Sequence, residues 1–153
     1  MSVYAAKRKK SHIEFLRVAQ DLAVYTAQQM KKFPKSQRFI FANDIMHLSL
    51  EIHENVTRAN AIYLHKGITE EDYRLRESYF TQARTAIFAL SSLLTVTLSF
   101  ILQGNNFLGT KDDAAKIFEH WGDLLNQEAG LIKSVQTSDA ERYKKYQQAK
   151  ENA

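Results

Sequence analysis

Hydrophobic residues recur along most of this chain every three or four positions, with polar and charged residues filling the intervals. Five glycines and one proline leave few breaks, so the helical spacing persists over long segments. The pattern predicts helices over residues 11–32, 35–65 and 70–103, and a fourth from about residue 110 to residue 132. In the first of these helices the apolar residues cover more than half of the helical wheel, an arc wide enough to contact two neighbours, as a bundle requires of each member. The predicted fold is therefore all-α, an antiparallel up-down four-helix bundle over residues 1–136.

The ends of the predicted helices carry residues that favour helix termination or capping. Proline has no N–H and a preset φ, so Pro34 is predicted to end the first helix and begin the second. Gly67 closes the second helix, and Thr69 with Asp72 three residues later resembles a capping box. Thr110 follows a turn over residues 104–109 and is the predicted N-cap of the fourth helix.

A further capping signature, Ser138 with Glu141, precedes the polar sequence ERYKKYQQAKENA. It predicts a separate polar C-terminal tail over residues 137–153. The composition of this tail is compatible with a helix, but the tail has no apolar face with which to join the core.

The second predicted helix divides into an apolar seam and a polar side. The seam consists of Phe41, Ile45, Leu48, Ile52, Val56, Ala59 and Tyr63, widened by Phe39, Met46 and Leu50. Asp44 and His47 lie on the polar side and form one approximate acid-x-x-His pair of the type found in di-iron bundles. Because such a centre needs about six converging ligands, the pair is interpreted as solvated surface and no metal site is predicted.

The second half of the third predicted helix is uncharged, since no charged residue occurs between positions 85 and 110. Its apolar part, residues 86–102, just reaches the length that can cross a bilayer, roughly 17 residues. Ser91, Ser92, Thr95 and Ser99 form a mildly polar strip beside Phe88. This strip favours a central helix buried between other helices over a membrane span.

Composition excludes several kinds of site and makes catalysis less favoured. The 153 residues suit one domain, and the absence of cysteine excludes disulfides, thiolate zinc sites and a cysteine nucleophile. Without an apolar signal segment, the protein is predicted to be cytoplasmic. There is no phosphate-binding glycine loop and no nucleophile elbow, so catalysis is the minority hypothesis and no cofactor is expected.

Basic residues give the chain a formal charge of +4 and favour an anionic partner. The candidate nucleic-acid-binding residues are Lys7, Arg8, Lys9, Lys10, Lys31, Lys32, Lys35, Arg38, Arg58, Arg74, Arg76 and Arg84. The first four and the next four form two clusters, predicted to lie roughly 30 Å apart at opposite poles of the bundle. Binding through them would be directed at the phosphate backbone, although an ordinary solvated surface has the same pattern.

One stretch also resembles a known family. It comprises Lys32-Phe33-Pro34-Lys35-Ser36, Arg38-Phe39, Phe41, Ile45, Leu50-Glu51-Ile52, Glu54-Asn55 and Ala59-Asn60. This stretch is similar to the Avd-like four-helix-bundle proteins, the accessory variability determinants of diversity-generating retroelements, which are related to bundle proteins encoded within ribosomal RNA intervening sequences. The similarity is densest over residues 31–63.

The resemblance implies a homopentamer of four-helix protomers that binds a reverse transcriptase and RNA or DNA, and that supports mutagenic copying without catalysis of its own. It also implies a subunit interface for the uncharged half of the third helix. Two alternatives stay open: a structural or protein-interaction bundle without nucleic-acid binding, and an enzyme or metal protein built on the same bundle.

Overall fold

The computed structural model describes residues 3–153, with side chains from Glu14 onward. Within that range every regular element is helical. The elements are α1 (Val3–Met30), α2 (Lys35–Gln37), a π-helical turn (Arg38–Ala42), α3 (Asn43–Ala61), α4 (Glu70–Leu102) and α5 (Lys111–Glu151). Because α2, the π-helical turn and α3 follow one another directly, the described chain has four helical segments. The all-helical, four-helix prediction is confirmed.

The connection at Pro34 is held on the core by an aromatic contact. Pro34 has a φ of −64° and stands at the N-cap of α2, as its fixed ring geometry favours. Phe33, directly before it, is 1% exposed. Its ring lies 4.7 Å from that of Phe107 in an edge-to-face arrangement, which joins this connection to the one between α4 and α5.

A π-helical turn follows α2. The backbone N–H of Asn43 donates to the carbonyl oxygen of Arg38, five residues earlier, where an α-helix would use the fourth. Phe41 in this turn is 8% exposed, and its ring centroid lies 5.2 Å from that of Phe100 on α4. The turn is therefore packed on its Phe41 side.

Caps define the starts of α4 and α5 as predicted. Thr69 Oγ1 accepts from the backbone N–H of Asp72 at 3.1 Å. Thr110 and Asp113 form a reciprocal capping box, in which each side chain accepts from the other's backbone N–H. Gly109 has a φ of +94°, and a Cβ there would lie 2.7 Å from Asp113 Oδ2, so this box requires glycine.

Polar contacts join α1 to α5 inside the core. Trp121 is fully buried, and its indole N–H donates to Thr26 Oγ1 at 3.0 Å. The Tyr25 hydroxyl donates to the carbonyl oxygen of Ile117 at 2.9 Å. α3 packs along α4, and α1 and α4 both pack against α5. The core is made of buried residues from all four segments, with Phe15, Phe80, Leu22, Ile45, Ile52, Leu90, Ile101, Leu125 and Ile132 among its largest side chains.

The predicted helix start at Ser138 is wrong, because α5 continues without interruption to Glu151. Residues beyond 136 contact the other helices through polar and aromatic groups in place of an apolar face. Asp139 is 6% exposed and forms an ion pair with Arg76. Tyr143 stacks on Tyr73 of α4, with ring centroids 3.9 Å apart. Periodicity could not reveal these contacts, since they depend on the approach of α4 and the connection before it.

The second predicted helix is also shorter than expected. α3 ends at Ala61 rather than at residue 65, so Tyr63 lies in the connection and is 73% exposed instead of continuing the seam. The Arg76 guanidinium stabilises this end, because its Nη1 donates to the carbonyl oxygens of Ala59 and Ile62 at 3.1 and 2.9 Å. Leu50, also placed on the seam, is 44% exposed.

The uncharged half of α4 is buried on one face only. An exposed face runs along it, here called the uncharged stripe: Thr85, Phe88, Ala89, Ser92, Thr95, Val96 and Ser99. Phe88 is 72% exposed and Val96 is 55% exposed. The expectation of a central buried helix is therefore wrong for this face. By length and composition alone α4 could cross a membrane, and 33% of its most apolar window is buried in the protein.

Candidate nucleic-acid interface

The connection between α1 and α3 exposes a group of cations and one aromatic ring. Lys31, Lys32, Lys35, Arg38 and Phe39 are all exposed, and we refer to these five residues as the Pro34 surface. None of the four cations forms an ion pair with a described side chain. From residue 22 to residue 43 the chain has no acidic residue. The local field of this segment is therefore positive and is not compensated from within it.

Phe39 lies on this surface and not in the core, contrary to its predicted place on the apolar seam. It is 87% exposed, whereas Phe41, two residues later, is packed on Phe100. Side chains two positions apart on a helix point in directions about 200° apart, so the rings of Phe39 and Phe41 cannot both face the same neighbouring helix. That angular difference was a signal in the sequence, but it did not indicate which phenylalanine would face outward.

The second predicted cluster, Lys7, Arg8, Lys9 and Lys10, lies outside the described side chains. Its backbone belongs to α1, which extends to Met30. A helix rises about 1.5 Å per residue, so this cluster is separated from the Pro34 surface by roughly 30 Å. The structure does not bring the two predicted clusters together.

Three further predicted arginines are dispersed along the helices. Arg58 is exposed in the last turn of α3. Arg74 is exposed and paired with Glu70 at 2.6 Å on the same helix. Arg84 is half-buried, and its Nη1 donates to Gln136 Oε1 of α5 at 3.1 Å. These arginines therefore do not extend the Pro34 surface as a continuous patch.

Arg76 is not a surface residue at all. It is 3% exposed, its Nε donates to Asp139 Oδ2 at 2.7 Å, and its guanidinium carbon lies 5.2 Å from the Phe80 ring centroid. With the two carbonyls at the end of α3, these contacts occupy the guanidinium from several sides. We therefore remove Arg76 from the predicted set of phosphate-binding residues, because no phosphate can reach it without unfolding the contact.

A second exposed region lies beside the uncharged stripe. A cleft of about 430 Å³ opens between α4 and α5, with Leu94, Thr95, Phe118, Glu119 and Gly122 among its lining residues. Its walls are mostly apolar, and Glu119 contributes a carboxylate. The cleft borders the stripe through Thr95, which belongs to both. This region suits a protein surface better than a polyanion, because it has no cation on its lining.

Potential metal ligands are dispersed in the part of the chain that the structure describes. No group of three or more His, Asp or Glu side chains there is close enough to hold a metal ion. Asp44 and His47 are both exposed on α3, as expected for solvated surface residues.

Besides Asp139, the chain has a buried carboxylate that the sequence pattern had not singled out. Glu128 on α5 is fully buried, and neither of its carboxylate oxygens has a hydrogen-bond partner among the described residues. Burial raises the pKa of this carboxyl to about 8. The helical spacing could have indicated that Glu128 is buried, because it shares the buried face of α5 with Trp121, Leu125 and Ile132.

Comparisons with known proteins found no match to this chain among family models, curated proteins or solved structures.

Proposed function

We propose that this protein is a non-catalytic accessory protein of a diversity-generating retroelement. In this role it binds the element's reverse transcriptase and nucleic acid and supports mutagenic reverse transcription. Its fold would be the antiparallel up-down form of the four-helix bundle, and the functional form would be a cytoplasmic homo-oligomer, a pentamer by resemblance. The proposal rests on the resemblance of residues 31–63 to Avd-like proteins.

The observation that carries the nucleic-acid part of the proposal is the unpaired charge of the Pro34 surface. Lys31, Lys32, Lys35 and Arg38 are exposed and free of ion pairs with described side chains, so their charge is available to phosphates. Binding of this kind neutralises phosphates and releases counterions, and it does not require base-specific contacts. The same residues lie within the stretch that carries the resemblance.

The uncharged stripe supports the protein-binding part of the proposal. Phe88 and Val96 project from a helix that has no charge over its second half, and small residues between them allow a second helix to approach closely. Such a face is typical of an interface between subunits. The adjacent cleft between α4 and α5 supports the same part of the proposal, because its mostly apolar walls suit an inserted apolar side chain of a partner protein.

The alternative function is a structural or protein-interaction bundle that does not bind nucleic acid. The stripe and the cleft support this alternative as well as they support the proposed function, since neither surface contains a cation. The two functions differ in what the Pro34 surface does, so binding to nucleic acid separates them.

Binding should be measured with a labelled duplex oligonucleotide at 50 and 200 mM salt. We expect affinity to fall steeply with salt, and Lys35→Ala and Arg38→Ala each to weaken binding and reduce the slope of log K against log salt by about 1. Both side chains are exposed, so circular dichroism should show unchanged helicity.

Lys133→Ala is the matched control, because Lys133 is an exposed lysine on α5 that is not part of the Pro34 surface. We expect it to leave affinity and salt slope unchanged. Wild-type protein that binds neither this duplex nor a single strand of the same length at 50 mM salt would overturn the nucleic-acid function in favour of the alternative. Equal losses in all three variants would show that the Pro34 surface is not the binding site.

A further inference from the structure

We propose that the Pro34 surface binds single-stranded nucleic acid, with the Phe39 ring as the platform on which a base stacks. This inference rests on the proposed function and specifies the form of nucleic acid that the site takes. A base offers its flat face to a protein side chain only when it is unstacked, as in a single strand. Cations alone would serve single strands and duplexes alike, so the inference depends on Phe39.

The exposure of Phe39 is not explained by the fold. Phe33 and Phe41 flank it in sequence and are 1% and 8% exposed, each with its ring against another phenylalanine. Phe39 is 87% exposed and has no ring contact within the described residues. An apolar ring gains nothing from full contact with water, and a partner that covers it would gain the free energy of its burial.

The backbone that carries the ring is also held at a defined place. Phe39 lies within the π-helical turn, whose backbone is fixed by the hydrogen bond from Asn43 N–H to the Arg38 carbonyl. The packed rings of Phe33 and Phe41 anchor the chain on both sides of it. A stacking residue on an ordered backbone loses little conformational freedom on binding, which favours affinity. π-helical turns are frequent at functional positions for a related reason, since they re-aim side chains locally.

Charge around the ring favours a polyanion. Lys35 precedes Phe39 by four residues, a spacing that places both on one side of a helical surface, and Arg38 is an exposed cation of the same segment. Lys31 and Lys32 add two charges on the other side of Pro34, with no acidic residue from position 22 to position 43. An aromatic ring beside backbone-binding cations is the arrangement by which single strands are held without sequence preference.

An anionic membrane surface fits the same cations less well. Interfacial binding needs an apolar face of several residues that enters the headgroup region. Here Phe33 and Phe41 are committed to the core, which leaves Phe39 and Ile40, the latter 54% exposed, as the only apolar groups of this segment open to a bilayer. A membrane is therefore treated as a competing outcome of the test.

The experiment compares a labelled 20-nucleotide oligothymidylate with a duplex of the same length by fluorescence anisotropy. We expect Phe39→Ala to weaken single-strand binding by roughly 5- to 150-fold, which corresponds to about 1–3 kcal/mol for loss of one base–aromatic stack. Duplex binding should change less than twofold. Phe39→Trp should bind the single strand at least as tightly as wild type, whereas Phe39→Leu, apolar but without a π face, should be as weak as Phe39→Ala.

Tyr63→Ala is the matched control, since Tyr63 is also an aromatic residue, 73% exposed, but follows α3 at the end of that helix remote from the Pro34 surface. It should leave single-strand affinity unchanged. Phe39→Leu binding like wild type, or Phe39→Ala leaving single-strand affinity intact, would overturn the inference. Loss of binding to phosphatidylserine vesicles in Phe39→Ala, with oligothymidylate binding unaffected, would overturn it in favour of a membrane.

The inference and the proposed function fail in different ways. If Lys35→Ala and Arg38→Ala weaken both ligands while every Phe39 variant binds like wild type, the Pro34 surface binds phosphates and the stacking role is wrong. If wild-type protein binds neither oligonucleotide, the nucleic-acid function is wrong and the inference falls with it.

Discussion

Glu128 shows how strongly one buried side chain can affect the stability of this fold. A carboxyl group with no hydrogen-bond partner in a core is tolerated only if it keeps its proton, because an isolated buried charge is far more expensive than a neutral acid. Burial raises the pKa of Glu128 to about 8, so the group is neutral in the folded protein at pH 7. In the unfolded chain the same group ionises near its ordinary value of 4.5.

This difference makes stability depend on pH. Between pH 4.5 and 8 the folded protein holds a proton that the unfolded chain releases, so the contribution of Glu128 to the free energy of unfolding falls as pH rises. The slope is about 1.4 kcal/mol per pH unit. We expect Glu128→Gln to remove this contribution and to stabilise the protein at pH 7.5 relative to wild type, as measured by urea unfolding at pH 5.5 and 7.5.

Glu119→Gln, an exposed carboxyl on the same helix, is the control and should retain the wild-type pH dependence. If wild type and Glu128→Gln lose stability equally between the two pH values, Glu128 does not carry the proton assigned to it.

At the scale of elements, Arg76 connects three helices. It donates to two carbonyls at the end of α3, belongs to α4, and forms an ion pair with Asp139 of α5. Helix ends leave carbonyls without partners, and a buried guanidinium can satisfy several of them at once. Arg76 thus satisfies carbonyls at the end of α3 and ties the later part of α5 to the rest of the protein.

Arg76→Ala should be strongly destabilising. The change leaves Asp139 buried without its partner and frees two carbonyls, and breaking a buried pair from one side costs about 3–5 kcal/mol. Arg74→Ala, two residues away, removes only an exposed pair with Glu70 and should cost less than about 0.5 kcal/mol. Urea unfolding followed by circular dichroism measures both. Similar losses for the two variants would contradict the role given to Arg76.

Helix positions were predictable because they depend on local signals. The spacing of apolar residues locates each segment, and Thr69 and Thr110 have the capping geometry expected of them, since caps use residues only three apart. The end of α3 and the length of α5 were not predictable, because they depend on Arg76 and Asp139, which are distant in sequence. Tertiary contacts override local propensity at such positions.

The candidate site was predictable to a similar degree. Charge and sequence position were enough to place Lys31, Lys32, Lys35 and Arg38 at the end of the bundle, where they are exposed. They were not enough to exclude Arg76, whose burial depends on a partner 63 residues away. Charge and sequence position also could not show that Phe39 is the exposed ring, because the choice between Phe39 and Phe41 depends on the packing of Phe41 against α4.

For the whole molecule, the uncharged stripe predicts assembly. Leaving a phenylalanine ring in water forgoes about 2–3 kcal/mol that burial would provide, and Phe88 and Val96 repeat that exposure on one face. Phe88 and the ring of Phe39 lie on separate surfaces, so subunit association and nucleic-acid binding need not compete.

Light scattering coupled to size exclusion tests this prediction. We expect wild-type protein to have a mass several times that of the 17.6 kDa protomer, five times if the resemblance holds. Phe88→Asp places a charge on the stripe and should shift the mass to that of one protomer while leaving helicity unchanged. Phe39→Asp, the control on the Pro34 surface, should keep the wild-type mass. A wild-type monomer, or an unchanged mass for Phe88→Asp, would show that the stripe does not join subunits.

The π-helical turn at Arg38–Ala42 has a consequence for how this segment can change over time. Such a turn holds one more residue than the α-helical turn it replaces, which makes it the structural equivalent of a one-residue insertion. α3 follows the turn directly, and the surplus is absorbed where Arg38 and Phe39 project outward. The segment can therefore gain or lose a residue at its outer surface while the buried positions of α3 keep their register.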